Sequence, residues 1–203
     1  MRSLRAPKAR LNNGVRNNVV FLVGFMGAGK TSVGRALAQR LNWIFEDLDD
    51  RIERHDGRTV AEIFRDSGEA EFRHAERAAL MQVLEEQRGG VAKIVALGGG
   101  AFVQKDNAAL LKAAGVPTVF LDTAVNELWR RCCVQASQCG TERPLLQSED
   151  QFRRLYASRR RNYLKASLKV DTGSRLVEAI AGDIAERLRL KEIGLRTEEG
   201  ESE

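Results

Sequence analysis

The eight residues Gly24-Phe25-Met26-Gly27-Ala28-Gly29-Lys30-Thr31 narrow what this chain can fold into more than any other part of it. They fit the pattern GxxxxGK followed by Ser or Thr. Directly before them stands an apolar run, residues 19–23, with the length of a strand buried on both faces. Directly after them Val33, Leu37, Ala38 and Leu41 fall at helical spacing. Strand, glycine-rich turn and helix are the order that phosphate binding needs. The glycines let several backbone N–H groups converge on an anion, and the helix N-terminus adds its positive end. Lys30 is placed to reach β- and γ-phosphates, and the Thr31 hydroxyl to ligate Mg²⁺. A chance match in a glycine-containing turn is disfavoured by these flanks. The motif alone does not separate kinases from ATPases or GTPases.

The same alternation continues to the end of the chain. Further strands are expected at 44–45, 93–97, 118–121 and 168–171. Helices are expected at 30–41, 49–56, 106–114, 124–133, 149–165 and 174–190. Thr59-Val60-Ala61-Glu62 has the form of a capping box and opens a helix toward Asp66; Gly68 breaks it, and a longer helix follows over 70–88. Strands alternating with helices predict a three-layer αβα fold of the P-loop kinase kind, around a five-stranded parallel sheet. The 203 residues suit one such domain over 19–190, with no repeat and no internal linker. Residues 134–147 are polar and without period, and are expected to form a lid.

Charge is concentrated at the ends. Residues 1–18 carry Arg2, Arg5, Lys8, Arg10 and Arg16 and no acid, while 191–203 carry two bases and five acids. Both read as solvated, disordered tails, so the net charge of +5 is weak evidence for a nucleic-acid partner. The basic arm lacks the apolar core of a secretory signal, and no run approaches the roughly 18 apolar residues of a membrane span. The cysteines Cys132, Cys133 and Cys139 have neither disulfide nor zinc spacing, which points to thiols in a reducing cytoplasm.

Several clusters could complete a site. Asp47 and Asp49 follow the second strand, where ligands gather in open parallel sheets. Two apart on extended backbone, they would face the same way. One could hold a metal through water and the other accept a proton from an attacking hydroxyl. An acidic helix start is the plainer alternative. Gly98-Gly99-Gly100 suits a ligand lying against the backbone, or merely a turn. A common pattern of such folds puts Asp at position 96; Ala96 stands there, which favours Asp47 for the metal. Arg73 could fork onto a carboxylate with Glu76 orienting it, although an ordinary surface pair is the simpler account in isolation. His55 and His74 read as solvated. Arg143 lies on the expected lid, and Arg159-Arg160-Arg161 ends the helix after it.

Taken in order, the phosphate loop, the D-x-D pair, E-F-R-x-x-E at 71–76, the glycine triplet, R-P-L-L at 143–146 and a late L-x-x-x-R…Y resemble the shikimate kinase family over 19–190. The resemblance implies transfer of the ATP γ-phosphoryl group to the 3-hydroxyl of shikimate, with Mg²⁺, by a cytoplasmic monomer without nucleic-acid or membrane partners. It implies that Gly27, Ala28, Gly29, Lys30, Thr31, Ser32, Arg131 and Arg143 bind the nucleotide, and that Thr31 and Asp47 serve the metal. It implies that Asp49, Arg73, Gly99, Gly100 and Arg159 bind shikimate, with Asp49, Lys30 and Arg143 catalytic. Three places depart from the family: Arg161 stands where Pro is usual, the stretch between Arg131 and Arg143 is long and Cys-rich, and Val177 replaces a Pro near the adenine. The alternatives are another small-molecule kinase, acting on gluconate or a nucleoside monophosphate, and a nucleic-acid-binding ATPase anchored by the basic arm.

Overall fold

The structure, a computed structural model, describes residues 18–139 and 148–192, without the side chains of 138 and 139. Its order is β1 (Val19–Val23), α1 (Lys30–Leu41), β2 (Ile44–Asp47), α2 (Leu48–Asp56), α3 (Val60–Arg88), β3 (Lys93–Ala96), a 3₁₀ turn (Ala101–Val103), α4 (Lys105–Ala113), β4 (Thr118–Asp122), α5 (Val125–Cys139), α6 (Glu149–Tyr163), β5 (Leu168–Asp171) and α7 (Val177–Arg187). All strand pairs are parallel, in the order β2-β3-β1-β4-β5.

β1 sits at the centre because its five apolar residues need cover on both faces, and each is buried. It pairs with β3 from Val19↔Lys93 and with β4 from Phe21↔Thr118. From β1 the chain passes through α1 to the far edge at β2, then returns to β3. Right-handed crossovers put α1 on one face and the β2–β3, β3–β4 and β4–β5 connections on the other. α7 packs on α1 and closes the first face. Because the chain leaves β1 in one direction and later strands fill the other, a crevice opens at the carboxyl ends of β1 and β3.

The helix boundaries follow local chemistry. Thr59 and Glu62 form the expected capping box at the start of α3, and Gly68, with φ 81° and ψ 174°, kinks it as expected. Several expectations are corrected. α5 does not stop at 133: it runs on to Cys139, so residues 134–139 of the expected lid are helix, and residues 140–147 lie outside the described residues. Val134 and Gln135 keep the helix turning because nothing in 134–139 breaks it. α7 starts at Val177, three residues late, and β3 ends at Ala96 rather than 97. The two tails lie almost wholly outside the described residues.

One buried charge cluster ties β2, α2, α3 and β3 together. Glu46 receives Arg51 at 2.8 Å, Arg54 at 3.1 Å and Lys93 at 2.9 Å. Glu86 of α3 receives Arg51 at 2.9 Å and also binds Lys93. The Arg51 guanidinium and the Lys93 ammonium hold the Glu86 carboxyl down at about 2. The cluster fixes the β2–α2 corner, and that corner carries Asp47 and Asp49.

Candidate active site

The crevice widens into a cleft of about 800 Å³. Its floor is the loop between β1 and α1. Gly29 caps α1 with φ 87°, a left-handed conformation that a side chain resists, and so the N–H groups of the following turn face the cleft. Lys30 Nζ lies back across the loop, donating to the carbonyls of Gly24 at 3.0 Å and Phe25 at 3.2 Å. Burial lowers its ammonium from the ordinary value, against the pull of Asp47 and Asp49. Two weak carbonyl contacts are bonds that a phosphate oxygen can replace at a gain.

Asp47 and Asp49 both reach the cleft, but not as alternate residues of an extended segment. Asp47 is the N-cap of α2, its side chain accepting the Asp49 N–H at 3.2 Å, and Asp49 stands in the first helical turn. The acidic helix start weighed above is therefore correct as local structure, and it is what aims both groups. Thr31 Oγ1 donates to Asp47 Oδ2 at 3.4 Å. A hydroxyl and a carboxylate side by side, next to a phosphate loop, form the hard oxygen set that suits Mg²⁺, which keeps most of its waters. Among the described residues no group of three or more His, Cys, Asp or Glu could hold a metal ion.

Asp49 Oδ1 is buried with no hydrogen-bond partner. Burial, then the neighbouring Asp47, pushes Asp49 up to about 6. Arg73 and Arg159 line the same cleft. Arg73 of α3 gives Nη1 to both oxygens of Glu76 at 3.0 Å and Nη2 to Glu69 at 3.0 Å, and stacks 5.1 Å from the Phe72 ring. Glu76 is fully buried, so the pair is not an ordinary surface one; burial pushes Glu76 up to about 6 against the Arg73 charge. Arg159 of α6 lies over the Phe25 ring at 5.9 Å.

The glycine triplet organises these groups. A Cβ at Gly98 would fall 2.6 Å from Asp49 Oδ1, one at Gly100 would fall 2.7 Å from Arg73 Nη2, and the atom nearest to one at Gly99 is Arg159 Nη1, at 3.5 Å. Each glycine therefore faces a different charged side chain, and only hydrogen at Cα lets the acid and the first arginine approach.

Of the residues named from sequence, Gly27, Ala28, Gly29, Lys30, Thr31, Ser32, Asp47, Asp49, Arg73, Gly99, Gly100, Arg131 and Arg159 all line this one cleft. Arg143 lies outside the described residues. The arginine triple is resolved by geometry: Arg160 pairs with Asp122 at 2.7 Å, Arg161 is exposed, and Arg159 alone of the three turns inward. Because Arg161 faces outward, its departure from Pro does not touch the site. Arg131 bridges the loops, donating to the carbonyls of Gly27 at 3.4 Å and Gly173 at 3.2 Å while Glu127 holds its Nε at 2.7 Å. Val177, which stands in for the usual Pro, lines the same cleft, and so does Arg175, which no motif singles out. His55 and His74 are exposed.

A model of the shikimate kinase family matches residues 26–189. The chain is 39% identical over 173 residues to a shikimate kinase of Geobacter metallireducens, covering 84% of this chain and 90% of that one. It is 40% identical over 176 residues to one of Streptomyces avermitilis, covering 85% and 96%. A solved shikimate kinase of Acinetobacter baumannii, in complex with shikimate, superposes with a TM-score of 0.74 at 34% identity, covering 84% of this chain and 92% of that one. Matches of that extent, on a P-loop kinase fold with its phosphate loop intact, show that this chain belongs to the shikimate kinase family of ATP-dependent kinases.

Proposed function

We propose that the chain moves the γ-phosphoryl group of ATP to the 3-hydroxyl of shikimate, giving shikimate 3-phosphate and ADP, with the cleft residues in the following roles. The observation that carries these roles is the convergence of Asp49, Arg73 and Arg159 on consecutive glycines beside the Lys30 loop. Arg73 and Arg159 suit the acceptor's carboxylate, since two guanidinium groups can meet a planar anion from two sides. Asp49 suits the hydroxyl: its unbonded Oδ1 accepts the hydroxyl hydrogen and holds the oxygen in line with the γ-phosphorus. As the new P–O bond forms, the bond from phosphorus to the β–γ bridging oxygen breaks, and the hydroxyl proton passes to Asp49.

The backbone amides of 27–32 and Lys30 hold the phosphates and take up their charge. Thr31 and Asp47 would hold Mg²⁺, which when bound neutralises phosphate oxygens. Arg131 and Val177 flank the space for the base. Arg143, expected to add positive charge at the phosphates, lies outside the described residues. The enzyme acts as a monomer in the cytoplasm. No described helix is long and apolar enough to cross a membrane.

A coupled ADP-release assay tests the roles. Asp49→Asn abolishes shikimate-dependent release while ATP binding stays nearly intact, and Arg73→Ala raises the KM for shikimate far more than that for ATP. Equal loss toward both substrates removes either residue from the acceptor site. Gluconate or a nucleoside monophosphate stimulating release as well as shikimate does would overturn the choice of acceptor.

A further inference from the structure

Behind the glycine triplet stands a residue that does not line the cleft. Tyr163 is the last residue of α6 and is wholly buried. It lies one helical turn beyond Arg159, so both side chains leave α6 on the same face. Its hydroxyl donates to the Gly99 carbonyl. The same hydroxyl and Arg159 Nη1 both stand against Gly99: a Cβ there would lie 3.9 Å from the one and 3.5 Å from the other. The ring is pinned on the other side by Phe120 of β4, 5.4 Å between centroids. Burial pushes the phenol up to about 12, so it keeps its proton and stays a donor at neutral pH.

We propose that Tyr163 is a positioning residue for the acceptor. Its hydroxyl holds the Gly99 peptide in place beside the Arg159 guanidinium. That sets the distance between the backbone against which the acceptor's ring lies and the cation that meets its carboxylate. The inference rests on the reading of Gly99 and Arg159 as acceptor contacts. A peptide held in advance removes part of the ordering cost of binding. The hydroxyl bonds the glycine turn rather than the phosphate loop, so its effect is expected on one substrate only.

The test is a comparison of KM and kcat across four enzymes. Tyr163→Phe is expected to raise the shikimate KM roughly 10-fold, the size of losing one buried hydrogen bond, with the ATP KM within about two-fold. Added to Arg159→Ala, the same change is expected to do much less, because the cation whose distance it sets is gone. If Tyr163→Phe does not fold, 3-fluorotyrosine in place of Tyr163 keeps the ring and hydroxyl while altering the strength of the hydroxyl's bond to Gly99, and is expected to shift the shikimate KM alone. An unchanged shikimate KM, an equal rise for both substrates, or full additivity with Arg159→Ala overturns the proposal. If Arg159→Ala itself leaves the shikimate KM unchanged, the acceptor-site reading fails and this inference falls with it. If Arg159→Ala raises that KM and Tyr163→Phe does not, only this inference fails.

Discussion

Gly98→Ala places a methyl carbon 2.6 Å from Asp49 Oδ1 and 3.1 Å from Oδ2. Ordinary contact begins near 3.4 Å, so the carboxylate must retreat by about 0.8 Å or the turn must move. Alanine is conformationally acceptable there, because Gly98 is not among the positive-φ glycines. Asp49 has little room to yield: its side chain is short, and its N–H is tied to Asp47 Oδ1 at 3.2 Å. A misplacement of this size at a reacting group costs on the order of 10²-fold in rate, or about 2.7 kcal/mol of barrier. The phosphate loop is untouched, so the ATP KM is expected to stay within about two-fold. Steady-state ADP release, with kcat and both KM values resolved, measures this. Gly100→Ala supplies the contrast, since its methyl meets Arg73 Nη2 at 2.7 Å and Nη1 at 2.9 Å. Arg73 is longer and can give way, but only by loosening its bonds to Glu69 and Glu76. Its loss is expected mainly in the shikimate KM, roughly 10-fold, as for a weakened charged hydrogen bond. An unchanged kcat in Gly98→Ala, or a loss confined to the ATP KM, would refute the placement of Asp49 at the reacting hydroxyl.

Two other measurements bear on the same structure. Burial raises Asp49 to about 6, so its ionised form is lost as pH falls through that value; kcat/KM for shikimate is expected to drop about tenfold per unit below pH 6, and an acid limb at pH 4 or lower would contradict the burial argument. Lys93→Met removes one of the cations on buried Glu46 and should cost about 3 kcal/mol of unfolding free energy in urea at pH 7, since breaking a buried pair strands its partner; a cost under about 1 kcal/mol would show that Arg51 and Arg54 suffice. Glu86 in that cluster is shifted down rather than up, and its contribution too is lost on the acid side. Its carboxyl is held down at about 2, so its contribution is complete above the ordinary value of 4.5 and fades as pH falls toward 2.

The sheet and most of the site are legible in the sequence for different reasons. β1 and the phosphate loop are local: five apolar residues, then glycines, Lys30 and Thr31, and no tertiary context alters what they form. The capping box at Thr59 and the break at Gly68 are local in the same sense. The reach of α5 to Cys139 is not, because residues 134–137 are exposed or half-buried and lack the apolar period by which helices announce themselves. The aim of Asp47 and Asp49 was inferred from a strand period and is achieved by a helix cap. The cap turn also leaves both side chains lining the cleft, so the right residues follow from the wrong local structure. Arg159 is singled out of its triple only by the resemblance; its residue type and position say nothing until Asp122 is seen to hold Arg160. Tyr163 had a usable signal, its spacing of four from Arg159, but nothing in the sequence says that its hydroxyl meets the Gly99 carbonyl 64 residues away.

The contrast between two acids three residues apart explains how the cleft selects its acceptor. Glu46 is buried and gathers Arg51, Arg54 and Lys93, and these partners, against the cost of burial, keep its carboxyl below the usual range. Asp49 is crowded by Asp47 and left with an unbonded oxygen, and it rises to about 6. The corner that carries both can evidently supply cations, so the isolation of Asp49 is a property of the site rather than a limit of packing. An acid held as Glu46 is held has its lone pairs occupied and nothing to offer an incoming hydroxyl. Asp49 retains that capacity at a cost in stability, and only a donor delivered by the substrate relieves it. On the proposed reading Arg159 has the opposite deficit, since it makes no ion pair among the described residues, whereas Arg73 is already held by Glu69 and Glu76. A molecule with a carboxylate but no hydroxyl at the right distance then leaves the acid unsatisfied, and one with the hydroxyl but no carboxylate leaves Arg159 unmatched. Discrimination by stranded polar groups is much stronger than discrimination by shape, so a cleft of these dimensions needs few contacts to be selective.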